Sequence, residues 1–97
     1  MRPRAPATFL VETYVPKLDE ATAVALSTRL RAAITELQRE GLPLRWLRSF
    51  ALIGEDTYLW MLNANDADDI ARVNRRAGVT FDHVAVVVPG EASARDG

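Results

Sequence analysis

The chain of 97 residues has no cysteine, one histidine, and only one lysine among its twelve basic residues. Without Cys there is no disulfide, no thiolate nucleophile and no zinc site that needs a thiolate. A lone His excludes any metal site that takes two or three imidazoles from one chain. No Gly-rich phosphate loop, nucleophile elbow or HExxH sequence occurs. The acidic run Asp66-Ala67-Asp68-Asp69 lacks the Gly and terminal Glu of an EF-hand loop and reads as the solvated start of a helix. With a net charge of −1, no global field draws the chain to nucleic acid or an anionic membrane, and neither is expected as a partner. Long apolar runs are missing too. Phe9 to Val11 is broken by Glu12, and the basic start Met1–Ala7 is followed by no signal-type apolar region, so a cytoplasmic location is the default expectation.

What remains is the composition of an ordinary globule, 48% hydrophobic and 26% charged, at the length of one domain. A core over about residues 8–88 is expected, with 1–7 and 90–97 as flexible tails. The β-branched and aromatic stretch Thr8 to Val15 reads as a strand stopped by Pro16. Asp19 then serves as N-cap of a helix over 19–40. Leu26, Leu30, Ala33, Ile34 and Leu37 form its apolar stripe, and Gly41 and Pro43 end it. Leu44 to Ile53 and Thr57 to Asn63 read as a hairpin around Gly54-Glu55-Asp56. Asp66 caps a second helix in which Ile70, Val73, Asn74 and Ala77 share a face and which stops at Gly78, and Asp82 to Val88 is the last strand. The order strand–helix–strand–strand–helix–strand predicts an α+β, ferredoxin-like βαββαβ domain: a four-stranded antiparallel sheet with both helices on one face.

Two helices cover only one face of such a sheet, so strand alternation should separate a covered face from an open one. The aliphatic class is assigned to the helices: Phe9, Val11 and Val15; Leu47, Ala51 and Ile53; Leu59 and Met61; Val84, Val86 and Val88. The open face then receives Leu10, Glu12 and Tyr14; Trp46, Arg48 and Phe50; Tyr58, Trp60 and Leu62; His83, Ala85 and Val87. An aromatic, apolar patch of that size exceeds what monomers expose. Its expected partner is a second copy packed face to face, forming a dimeric α/β barrel with a lumen.

The stretches Phe9-Leu10-Val11-Glu12 to Tyr14-Val15-Pro16, Arg45-Trp46-Leu47-Arg48-Ser49, Glu55-Asp56-Thr57, and Ala71 to Gly78 leading into Phe81-Asp82-His83 carry a family likeness. Over roughly residues 8–88 the chain resembles a family of small, largely uncharacterised ferredoxin-like proteins that includes nickel-binding, nickel-responsive members. The resemblance implies a dimer with an α/β-barrel core and, in some members, bound nickel.

On this reading the open face carries the chemistry. His83, the lone imidazole, reads as a metal ligand or general base in the lumen; its bland alternative is a half-buried polar group bonded to a neighbour or water. Glu12 interrupts an apolar strand and should find Arg48 or Tyr58 as partner, either in a structural ion pair or as part of a site. Glu12 and His83, oriented by Tyr14, would make a mixed oxygen and nitrogen set suited to a divalent ion such as Ni(II), with the dimer supplying two of each. Tyr14, Trp46, Arg48, Tyr58 and Trp60 would surround a small ligand, the aromatic ones otherwise forming plain interface core. The leading expectation is a homodimeric metal- or small-ligand-binding protein. A cofactor-free monooxygenase or isomerase, with His83 or Glu12 as base and substrate held by Trp46 and Trp60, is the alternative from another class. A purely structural dimerisation module is the third.

Overall fold

The computed structural model describes residues 6–90. The expected tail segments 1–5 and 91–97 lie outside the described residues, and Ala7, expected in the first tail, opens the first strand. The elements are β1 (Ala7–Tyr14), α1 (Glu20–Arg39), β2 (Arg45–Leu52), a 3-10 turn (Ile53–Glu55), β3 (Thr57–Ala64), α2 (Ala67–Ala77) and β4 (His83–Val87). All lie within a residue or two of their expected limits. The strands form one antiparallel sheet in the order β2-β3-β1-β4, the order of the ferredoxin-like arrangement.

Local chemistry sets the element ends. Asp19 accepts a 2.8 Å hydrogen bond from the Thr22 amide and starts α1. Asp66 does the same for α2 through the Asp69 amide at 3.1 Å. At the end of α2, Gly78 takes the left-handed conformation (φ 69°), where a side chain would be strained and a Cβ would meet Arg29 Nη2 at 3.0 Å. Arg29 reaches from α1 and donates to the Ala77 and Gly78 carbonyls at 2.8 and 2.9 Å, placing a cation at the negative end of α2. Arg76 pairs with Glu36 and Glu40 and ties α2 to α1.

The core lies between the helices and one sheet face. Leu26, Leu30, Ala33, Ile34 and Leu37 of α1 and Ile70 and Val73 of α2 pack there with Phe9 and Val11 of β1, as expected. The contribution of β3 is the opposite of the expected one. Tyr58, Trp60 and Leu62 are fully buried beneath the helices, and Leu59 and Met61 point to the open face. Register explains it: Trp60 is opposite Val11 and Leu62 opposite Phe9, and residues directly opposite across an antiparallel pair share a face. In β2, a bulge between Trp46 and Arg48 inserts Leu47 as an extra residue. Trp46, opposite Leu62, therefore falls on the helix side, while Arg48 and Phe50 keep the open side assigned to them. Val86, assigned to the covered class, is on that side but 59% exposed, because β4 is an edge strand only partly overlaid by helix.

Candidate functional site on the open sheet face

Neither α1 nor α2 covers the second face of the sheet. Its middle is apolar, built from Leu10 of β1, Leu59 and Met61 of β3, and Phe50 of β2, with Ala85 and Val87 along β4. Phe50 is 46% exposed and Leu52 40%, a high value for large apolar side chains in adjacent positions.

Glu12 and His83 are direct cross-strand partners on this face. That pairing puts an acid and an imidazole about 5 Å apart at Cβ, with both side chains directed the same way. The junction is fixed by the backbone of the β4 start. The Asp82 amide donates to the Glu12 carbonyl at 2.8 Å, and the Tyr14 amide donates to Asp82 Oδ2 at 2.7 Å. Asp82 is thus a staple between β1 and β4, with one carboxylate oxygen held by the Tyr14 amide. Thr13 Oγ1 adds a 2.9 Å bond to the Thr80 carbonyl in the same connection. Tyr14, two residues along from Glu12, shares its face and is 60% exposed.

The partners expected for Glu12 are not the ones it has. Arg48 stands on β2 with β3 between them, and neither residue forms an ion pair among the described residues. Tyr58 is on the other side of the sheet, with its hydroxyl bonded to Ser27. Trp46, Tyr58 and Trp60 are corrected together: by register all three fall on the helix side, where the fully buried Tyr58 and Trp60 cannot wall a ligand on the open face and the partly buried Trp46 reaches only the rim of a hollow beside the bulge. Trp46 and Trp60 stack there with ring centroids 5.8 Å apart and planes 15° apart, and the Arg31 guanidinium lies 5.8 Å from the Trp46 ring. An enzyme reading that holds substrate between Trp46 and Trp60 loses those walls.

Glu12, Tyr14, Arg48 and His83 do share the open face. Among the described residues, no group of three or more His, Cys, Asp or Glu side chains is arranged to hold a metal ion. One chain offers two protein donors at Glu12 and His83, which is half of what a four-coordinate divalent ion requires. Two shallow hollows flank the bulge on this face. One, of about 490 Å³, lies among Arg45, Trp46, Leu47, Arg48, Phe50 and Met61; the other, of about 400 Å³, lies among Thr8, Leu47, Met61 and Val87.

Sequence reasoning missed one polar cluster. Ser27 of α1 bonds to Ser49 of β2 at 3.1 Å and to the buried Tyr58 hydroxyl, at the floor of a groove of about 420 Å³ between α1 and β2. Ser27 sits one position after Leu26 of the buried stripe, and that was the available signal. Its evident role is to satisfy a phenol that the fold buries. Among the described residues no helix is long and apolar enough to cross a membrane.

Neither a family model nor a curated protein matches the chain. Among solved structures it is similar to SCO4226 from Streptomyces coelicolor A3(2), with a TM-score of 0.72 at 17% identity, covering 89% of this chain and 100% of that one. At that identity the likeness shows a shared fold: four antiparallel strands and two helices in the ferredoxin-like order.

Proposed function

We propose that the protein is a homodimer built on the open sheet face, with the two sheets enclosing a dimeric α/β-barrel lumen in which the Glu12–His83 pair binds a small ligand. The observation that carries this reading is an apolar sheet face, uncovered by either helix, that also holds an adjacent carboxylate and imidazole. Three strands of eight residues and one of five, ~4.8 Å apart and rising ~3.4 Å per residue, make a face of roughly 470 Å² in projection. The accessible area of such a pleated surface is larger and comes near the ~800 Å² per partner of standard interfaces.

A divalent cation such as nickel is the ligand that the family resemblance implies. Glu12 and His83 fit it by donor type, a carboxylate oxygen and an imidazole nitrogen. They supply two protein donors of the set, the remaining positions falling to water, so each chain of the dimer would hold its own ion. A bound ion would supply Lewis acidity; the chain's own part is to hold the donors side by side through the β1–β4 register and the Asp82 staple. Calorimetric titration with nickel chloride tests the ligand. Saturable binding near one ion per chain, lost in His83→Ala, is expected. A wild-type dimer that takes up no divalent ion would remove metal from the account and leave a structural dimerisation module or an organic ligand.

A further inference from the structure

The open face is electrically bipolar across its width. Arg45 and Arg48 stand on β2 at one edge, Glu12 stands on β1 toward the other edge, and β3 between them presents no charged residue to this face. Two successive rows run straight across the sheet: Phe50, Leu59, Glu12, His83, and then Arg48, Met61, Leu10, Ala85.

Two-fold stacking of such faces can be arranged in two ways with the strands aligned. An axis perpendicular to the strands lays β2 on β2 and β1 on β1. Arg45 and Arg48 then face their own copies, as does Glu12, and like charges meet in a space with little water to screen them. An axis parallel to the strands, between β3 and β1, exchanges the halves instead. It lays β2 over the partner's β4, and Met61 over the partner's Leu10, so apolar middle meets apolar middle. With ~4.8 Å between strands, ~3.4 Å per residue and ~10 Å between sheets, the Arg48 Cα stands roughly 13 Å from the partner's Glu12 Cα. A guanidinium and a carboxylate directed into the lumen can span that separation.

We infer that the dimer axis runs parallel to the strands, and that each Glu12–His83 pair receives Arg48 from the partner chain, so that the site is completed in trans. This rests on the homodimer proposed above. It gives both Arg48 and Glu12, which form no ion pair among the described residues, a countercharge across the interface. A cation bound at Glu12 would take the place of the partner's guanidinium.

Charge reversal tests it, read by sedimentation equilibrium on the full chain. Glu12→Arg and Arg48→Glu should each weaken the wild-type dimer by at least about tenfold, the scale of a close interfacial charge pair. The double variant, with the charges exchanged, should recover most of that loss. Circular dichroism checks folding of each variant. Should a reversal unfold the chain, Glu12→Gln and Arg48→Gln replace it, and their combined loss should then be no greater than the larger single loss. A wild-type chain that stays monomeric overturns the underlying homodimer. A wild-type dimer whose single losses multiply, or that ignores both reversals, keeps the homodimer and overturns the trans pairing.

Discussion

Trp60→Ala separates the two sheet faces more sharply than any other single substitution. Trp60 has no exposed surface, is stacked on Trp46 and lies opposite Val11 beneath the helices. A buried tryptophan removes about 200 Å² from water, worth roughly 5 kcal/mol at ~25 cal/mol per Å². Truncations of this kind measured in protein cores cost about 3–5 kcal/mol. A domain of this length has a total stability of about 5–15 kcal/mol, so the loss is a large share of it. With an unfolding entropy near 2.1 cal/mol/K per residue, the melting temperature should fall by roughly 15–25 °C. Trp60→Phe should cost far less. It keeps an aromatic ring against Trp46 and removes an indole Nε1–H that has no hydrogen-bond partner in the core. Thermal unfolding followed by far-UV circular dichroism reads both. A Trp60→Ala variant that melts within a few degrees of the wild type would refute the assignment, because that is how a tryptophan on an exposed sheet face behaves.

Two further predictions concern the hairpin and acid stability. Asp56 adopts a left-handed conformation (φ 50°), its carboxylate accepts from the Leu18 amide at 3.1 Å, and its carbonyl accepts from Val15 at 2.8 Å. Asp56→Ala should therefore cost about 1–3 kcal/mol in urea unfolding, from the lost acceptor and the positive φ, while Asp56→Asn, which tolerates both, should stay within about 1 kcal/mol; equal effects of the two would contradict this. The Thr22 amide lowers the Asp19 pKa, and the Arg76 guanidinium lowers that of Glu40, so both favour the fold above their unfolded values and cease to as pH falls through their lowered ones. Asp69 runs the other way: burial and the neighbouring Asp66 raise its pKa, so its protonation favours the fold and it opposes the trend just above the ordinary carboxylate range. The urea midpoint should drop between pH 5 and pH 3, and drop less steeply in Asp19→Asn; a midpoint flat over that interval would be the contrary result.

The element order, both N-caps and the apolar stripe of α1 were legible in the residues because each signal is local. Asp19, Gly41 and Pro43 act within a turn of where they stand. The faces of β1 and β4 were legible too, since Glu12 and His83 interrupt aliphatic alternation. β3 was not, because both of its parities are apolar: Tyr58, Trp60 and Leu62 on one, Leu59 and Met61 on the other. Period two cannot choose between two apolar faces; only the pairing of Trp60 with Val11 does, and that contact is 49 residues away in sequence. Trp46 was misplaced for a different reason. The bulge at Leu47 reverses alternation midway through β2, and no Gly or Pro marks it. Of the candidate residues, Glu12, Tyr14, Arg48 and His83 share the open face, while Trp46, Tyr58 and Trp60 lie on the helix side.

Everything proposed for the site depends on the open face being covered by a second copy. Sedimentation velocity of the wild-type chain at micromolar concentration, free of added metal, tests this most directly. The account predicts a species of twice the 10.7 kDa chain mass that moves toward the monomer when Met61→Glu places a charge in the middle of the face. A wild-type species that stays at 10.7 kDa up to hundreds of micromolar would contradict it.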